Sequence, residues 1–422
     1  MKQKVYAVLA AVIAVAESNA GEMPGTNVLT LDSVLAEVLA MNPRLKAARA
    51  NWGAMQARLR QEGAWADPRV GVDIERSGTT RLFTFTDNEW MISQELPLSG
   101  KNRTRARAAS AEAAAAFADA DRRKLELMRD ARVAFYNLAN TQTQLDLNQR
   151  NAELLHQFAE ITRIKYEAGT RMQSDVLMAE TESLKNQEAR RDLEQRVVEA
   201  QSRLNVLMNR PASAPLGRAA TVDLPIVNYD LGEIETHALL HRPELRIAAQ
   251  KIAAANARHD LAKRAWIPDP EVRVEARQFN GSGARIQEYD TGIFFNFPWF
   301  NRGKYKAGIE EATKNRESAE YELTALENET RGLVREHLQR IQTLHHHYTL
   351  FRDKIAPLAQ QTVESTRISY SNDKATFLEL ITAQRTLREV EAMSQQHLTD
   401  YLSAVAEFEA MTGIAHEIHE RK

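Results

Sequence analysis

Between Gly100 and Gly169 lie 68 residues without a proline or a glycine. No other feature narrows the fold of this chain as much. As one helix the run would reach ~100 Å at 1.5 Å per residue, longer than any compact domain core. Ala, Glu, Arg, Leu and Gln are common throughout, which favours helices over sheets. A second long helix is expected from Ser174 to about Arg210, where Leu193, Val197, Ala200, Leu204 and Leu207 follow one another at intervals of four, three, four and three. That is the seam spacing of helices packed side by side. The chain should build a rod.

The rod is written twice. "TRIKY" at 162–166 returns as "TRISY" at 366–370, with one letter changed. "NPRLKAARANWGAMQARLRQEGAWADPRV" (42–70) is answered by "RPELRIAAQKIAAANARHDLAKRAWIPDPEV" (242–272), matching Pro43 to Pro243, Leu45 to Leu245 and Trp65 to Trp266. "ISQELPLSGK" (92–101) is answered by "IFFNFPWFNRGK" (293–304), and an alanine, Ala179 or Ala383, stands 13 residues beyond each tyrosine. The spacing drifts from 200 to 204 residues, so the copies differ by small insertions. Solenoid units are far shorter, which makes this a duplicated half-chain. The expected organisation is a leader over 1–20, a first repeat over 21–210, a linker over 211–229, a second repeat over 230–413 and a tail over 414–422.

Each repeat runs in the same order. A helix from Pro43 or Pro243 stops before Pro68 or Pro270. A strand pair follows, over about 69–98 and 271–300. Val70, Val72 and Ile74 alternate with Gly71, Asp73 and Glu75; Val272, Val274 and Ala276 alternate with Arg273, Glu275 and Arg277. Trp90, Ile92 and Leu96, then Ile293, Phe295 and Phe297, do the same on the return strands. Such alternation fits either hairpins on a soluble core or strands with one face to lipid and the other to an aqueous lumen. Four strands are too few to close a membrane barrel, so a barrel would have to be shared between chains. Long helices follow, over 101–168 and 174–210, then 304–370 and 376–411, with Leu398, Tyr401, Val405 and Phe408 as the second seam. Gly169 suits the first helix-to-helix turn; in the second, "SNDK", Asn372 or Asp373 must make it. Pro357 predicts a kink near Ala356.

The N-terminus has Lys2 and Lys4, an apolar run over 5–16, and small residues Ser18 and Ala20 before Gly21, as in a secretory signal peptide. Cysteine is absent, which excludes disulfides, thiolate metal sites and a lipidated N-terminal cysteine. A net charge of −2 gives no reason to expect nucleic acid. His345, His346 and His347 are adjacent, so on a helix they point about 100° apart and do not converge on one metal; His416 and His419 lie in the tail. The cluster "KNRTRAR" (101–107) directly after a strand reads as a membrane rim or helix start.

The "NP" helix start, the strand pairs ending in "LPLSGK" and "FPWFNRGK", and "RIKYEAGTRMQSDVLMAE" together resemble the outer membrane efflux protein family, the TolC-like channel-tunnels, over residues 30–413. The resemblance implies a mainly α fold with a small β part: a homotrimer sharing a twelve-stranded outer-membrane β-barrel, continued by an α-helical periplasmic barrel. It implies a passive duct without catalysis or cofactor, set in outer-membrane lipid, partnered by a periplasmic adaptor and an inner-membrane pump. "SQELPLSGK" and the short length resemble the cobalt–zinc–cadmium branch, implying a pump of the resistance-nodulation-division class and divalent metal cargo; efflux of drugs or other small molecules is the alternative. By the same resemblance Asp175, with Ser174 before it, forms a closing hydrogen bond with Tyr370 at the periplasmic tip. The family's gate arginine falls on Ala375, leaving Lys374 to replace it. Glu379 and Thr382 fall at the tip constriction, where a ring of three carboxylates would attract cations and raise a carboxylate pKa. Glu379 and Asp175 also suit helix starts with no further role. A soluble coiled-coil adaptor would need Gly-rich β-domains around a single hairpin, and a metal-dependent enzyme would need ligand spacing such as H-E-x-x-H; neither is present.

Overall fold

The computed structural model describes residues 28–75, 87–222, 224–225, 230–279 and 285–414. The expected leader, His416 and His419 lie outside them. The first half comprises α1 (Leu31–Met41), α2 (Pro43–Gly63), β1 (Arg69–Glu75), β2 (Asp87–Glu95), α3 (Lys101–Glu167) and α4 (Gln173–Leu207). The second comprises α5 (Leu231–His241), α6 (Pro243–Arg264), β3 (Pro270–Phe279), β4 (Glu288–Phe295), α7 (Arg302–Leu350), α8 (Ala356–Ser371) and α9 (Phe377–Thr412). The paired starts have a local cause. Asn42 caps α2 by accepting from the Arg44 N–H at 2.9 Å, with Pro43 in the first turn, where a missing N–H costs nothing. The Asn42 amide also donates to the Leu207 carbonyl at 2.8 Å, pinning the end of α4 to the start of α2.

The four strands form one antiparallel sheet in the order β1-β2-β3-β4, so the two hairpins join through β2 and β3. The register puts Val70 opposite Ile92, Ile92 opposite Val274 and Val272 opposite Ile293. One face is therefore apolar, and it is open: Val70 is 76% exposed, Ile92 50% and Ile293 61%. The other carries charge. Arg277 Nε pairs with Glu89 at 3.1 Å, Arg273 Nη1 lies 3.5 Å from Glu275, and the Arg273 guanidinium sits 4.3 Å from the Phe294 ring centre. Among the described residues, β1 and β4 each have a free outer edge.

Where sheet meets helices, Asp269 accepts from the Ser99 N–H and hydroxyl, both at 2.8 Å, and from Lys101 Nζ at 2.9 Å. Burial works against its charge, but these donors hold the carboxyl below its usual range. The basic cluster thus starts α3: Lys101 reaches Asp269 and the Ile267 carbonyl, and the Asn102 amide donates to the Ala64 carbonyl at 2.6 Å.

Helix α3 is the spine, packing on α2, α6, α4 and α9. The largest core joins Val34, Val38 and Leu45 to Phe135, Leu138, Leu204 and Phe408. Inside it Arg132 pairs with Glu409, both almost fully buried, and burial pushes the neighbouring Tyr136 hydroxyl up to about 12. A second core lies at the far end, around Leu155, Phe158, Tyr370, Phe377 and Leu380.

The second rod is not a plain copy of the first. The disturbance expected near Ala356 lies just upstream, as a π-helical turn over Phe351–Ile355. Pro357 has no N–H to give and its ring displaces the carbonyl four residues back. A π turn also houses one residue more than an α turn. Above it, the buried Leu127, Ala131, Phe135 and Leu138 of α3 answer the buried Thr330, Val334, Leu338 and Ile341 of α7, 203 residues on. Below it the interval is 204: Leu155 answers Ala359, and Tyr166 answers Tyr370.

Candidate functional site at the helical tip

Both rods end in the same backbone motif. At the end of α3, Gly169 adopts φ 73°; its N–H donates to the Tyr166 carbonyl at 2.9 Å, and the Thr170 N–H to the Lys165 carbonyl at 2.9 Å. At the end of α8, Asp373 adopts φ 59°; its N–H donates to the Tyr370 carbonyl at 3.2 Å, and the Lys374 N–H to the Ser369 carbonyl at 2.8 Å. These are Schellman caps. Asp373, not Asn372, takes the left-handed position, at a cost on the order of 1 kcal/mol relative to glycine.

The Asp373 side chain has a use there. Its Oδ1 receives Lys165 Nζ at 2.6 Å and Arg171 Nη2 at 3.3 Å, both from the first turn. Lys165 also donates to the Ser371 carbonyl at 3.2 Å, and Arg171 to the Ala375 carbonyl at 2.9 Å. The hydrogen bond from Lys165 does most to hold the Asp373 carboxyl below its usual range, with the charges of Lys165 and Arg171 adding to it. Both cations lie over the Tyr370 ring, 5.6 and 5.0 Å from its centre.

Tyr370 is fully buried. Its hydroxyl lies 3.1 Å from Thr162 Oγ1, and the Thr162 hydroxyl donates to the Phe158 carbonyl at 2.8 Å, so the tyrosine donates to the threonine. Within the chain Tyr370 does not meet Asp175, the partner expected for it. The tyrosine lies against α3, whereas Asp175 is past the turn, half-buried in the first turn of α4, and the two share no hydrogen bond. Lys374 does not replace the missing arginine within the chain. It is exposed, its N–H closes the cap, and Arg171 reaches the second turn from the first. Ser174 is exposed beside Asp175.

Glu379 closes a capping box: the Thr376 N–H donates to Glu379 Oε2 at 2.7 Å, and the Glu379 N–H to Thr376 Oγ1 at 3.2 Å. The Thr376 backbone bond, then its hydroxyl, lower the Glu379 pKa within the chain. Thr382 is exposed, its hydroxyl donating to the Leu378 carbonyl at 2.7 Å. Glu379 and Thr382 line an open groove of ≈ 490 Å³ with Thr362 and Thr366.

Further ties bind the two helix pairs above the turns. Arg385 of α9 pairs with Glu182 of α4, Nε to Oε2 at 3.2 Å, and this bond does most to lower the Glu182 pKa. Gln384 donates to Asn151 at 2.9 Å, and Asn151 to Asn186 at 2.7 Å, in a buried amide ladder. Sequence reasoning passed over Lys165, Arg171, Thr162 and Arg385. The signal for the first was in view: it is the one letter by which "TRIKY" differs from "TRISY". Among the described residues no three metal-ligating side chains converge, and His345 and His347 pack on the Tyr401 and His397 rings.

The sequence matches the family described as outer membrane efflux protein over residues 34–210 and 236–414, one match for each repeat. The chain belongs to the outer membrane efflux protein family. Two curated relatives from Pseudomonas putida are the probable efflux pump outer membrane protein SepC and the toluene efflux pump outer membrane protein TtgF, each 25% identical over 263 residues. Those matches cover 60% of this chain and 54% of each relative, so the chain spans about half the length of the curated relatives it matches. Solved structures share the efflux-protein fold. CusC superposes with TM-score 0.80 at 16% identity, over 93% of this chain and 95% of that one. The outer-membrane channel OprN gives 0.76 at 18%, over 91% and 90%, and VceC from Vibrio cholerae 0.76 at 16%, over 91% and 96%.

Proposed function

We propose that this efflux-family chain is the outer-membrane exit duct of a three-part efflux machine. It works as a passive homotrimer, exported by its leader. The observation that carries the reading is the sheet: four strands, apolar on one open face and charged on the other, with two free edges, at the head of rods ~100 Å long. Four strands cannot close a barrel, but three copies supply twelve. The apolar face then meets lipid, the charged face lines the lumen, and the helices continue as a periplasmic tunnel. An adaptor and an inner-membrane pump of the resistance-nodulation-division class deliver cargo to the tip.

The tip is the gate in this reading. Tyr370 and its partners hold the second-repeat hairpin, while Asp175, Ser174 and Lys374 lie free to engage a neighbouring copy. Glu379 and Thr382 face the threefold axis. Divalent metal cations are the proposed cargo, supported by the "SQELPLSGK" resemblance and by a polar sheet face on which Asp73, Glu89, Glu95, Glu271, Glu275, Glu288 and Asp290 oppose Arg69, Arg273 and Arg277. A second reading, apolar solutes, is favoured by the toluene pump among the curated relatives.

Cell fractionation followed by an unboiled gel tests the duct. A trimer band from the outer membrane is expected; a monomer in the soluble periplasm would end the proposal. Deletion strains challenged separately with divalent metals and with toluene test the cargo. Sensitivity to toluene alone would transfer the assignment to the second reading.

A further inference from the structure

The chain builds a lock between its two halves, and it carries the parts of that lock a second time without closing it. In the closed lock, Lys101 follows β2, Asp269 precedes β3, and the two meet at 2.9 Å with the lysine side chain 19% and the aspartate 5% exposed. The Leu96 N–H donates to the Pro270 carbonyl at 2.8 Å, and β2 pairs with β3 so that Ile92 faces Val274. The duplication repeats each part at the outer edges of the sheet. Asp67 precedes β1 in "ADP" as Asp269 precedes β3 in "PDP", and Lys304 follows β4 in "RGK" as Lys101 follows β2 in "SGK". Lys304 stands 203 residues after Lys101, the same interval as the buried stripe of α7 after that of α3, so the two lysines share one helical phase. Asp67 and Lys304 are both exposed. Among the described residues neither forms a side-chain hydrogen bond or ion pair, and the Lys304 ammonium only lies over its neighbour Tyr305, 5.9 Å from the ring centre.

We infer that Lys304 of one copy closes on Asp67 of the next, and that β4 joins the next copy's β1 in the register by which β2 joins β3. The register follows from the repeat. Val70 corresponds to Val272 and Ile92 to Ile293, so the internal pair Ile92–Val274 becomes Ile293 opposite Val72 of the next copy. In that register both residues stay on the apolar face, whereas a slip of one position would turn apolar side chains onto the charged face. The occupant of the edge is thus a second copy of this chain, chosen by opposite charge and by a matching half-site the chain already closes internally. The inference rests on the shared-barrel reading and specifies what seals its seams. The seam is the weaker of the two locks, because the connection Phe297–Arg302 is two residues longer than Leu96–Ser99 and places no serine where Ser99 gives Asp269 two bonds.

The full chain, which lacks cysteine, allows a direct test in outer membranes. Ile293→Cys with Val72→Cys should, on oxidation, give a ladder of two and three joined copies on a denaturing gel. Ile293→Cys with Val70→Cys, two positions out of register, should not, because such a diagonal is too long for a disulfide. Lys304→Asp or Asp67→Lys should each cut the ladder and the unboiled trimer band by about tenfold, since like charges meet at a closed seam. The two changes together should restore both, which also shows that the single variants fold. A ladder from the slipped pair instead, or single reversals that leave ladder and band unchanged, would overturn the lock while leaving a shared barrel in place. Monomers without a ladder from either cysteine pair would remove the shared barrel as well.

Discussion

The two tip turns have one backbone and opposite chemistry. Gly169 and Asp373 adopt the same left-handed conformation in the same cap, closed by hydrogen bonds to residues at matching positions of the two pentapeptides. Yet the first turn presents Lys165 and Arg171, and the second presents Asp373, which accepts both. Where the first repeat has lysine the second has Ser369, and where the second has aspartate the first has glycine. Arg171 likewise stands where the second repeat has Ala375. Duplication reproduced the shape; divergence at these three positions made the copies adhere. The second turn accepts a backbone cost that the first avoids, and gains an anchor on its neighbour.

The tip is disrupted most severely from beneath both turns. Phe377 is fully buried, its ring 5.9 Å from that of Tyr370, and Phe377→Ala should cost about 3–5 kcal/mol in denaturant unfolding. A loss below about 1 kcal/mol would mean that the hairpins do not depend on their shared core. Exchanging the turn residues is next. Gly169→Asp puts an acid at positive φ where the second turn has Ser369 and Ala375 in place of Lys165 and Arg171, and should destabilise by about 1–2 kcal/mol. Asp373→Gly relieves the backbone while releasing the clasp, so stability should hardly move while basal conductance in a planar bilayer rises. Equal destabilisation by both changes would show that the turns are not complementary. Tyr370→Phe removes one buried hydrogen bond and should cost about 1 kcal/mol, with a raised conductance; Asp175→Ala added to it should leave that stability unchanged and raise the conductance further.

The smallest effect is a pH dependence. Asp373 and Glu379 are both lowered in the folded chain. A depressed carboxyl contributes its stabilisation in full above its unfolded pKa, near 4, and loses it as pH falls through the lower folded value. The clasp should therefore hold at neutral and mildly acidic pH and release only below about pH 4. Lys165→Ser should shrink that step, leaving Arg171 as the remaining cation on Asp373. A conductance rise centred between pH 5 and 7 would point to some other group.

Much of the scaffold was legible because it is local. The run from Gly100 to Gly169 leaves nothing to break α3, the alternation of Val70, Val72 and Ile74 marks a two-faced strand, and Gly169 announces a cap. The site was less legible because it is not local. Lys165 and Asp373 lie 208 residues apart, and no periodicity says that two hairpin ends will meet. The gate roles came from likeness to a family, and the likeness weakens where this chain departs from it. With Ala375 where the arginine falls, the cation comes from Arg171 on the opposite turn. Glu379 was open to two readings by position alone, and the capping box with Thr376 fills its role at the helix start.

The π-helical turn has a consequence for the tip. Each residue added to an α-helix rotates everything beyond it by about 100°. The second rod holds one residue more than the first between Lys304 and Tyr370, enough to swing Tyr370 off Thr162 and onto a different neighbour. The wide turn at Phe351–Ile355 takes up that rotation, so both ends of the rod stay in step with their partners. It works as a slip coupling between two shafts. Deleting one residue inside it should leave the tip aligned, whereas deleting one between Ala359 and Tyr370 should unscrew the gate while leaving the upper core untouched.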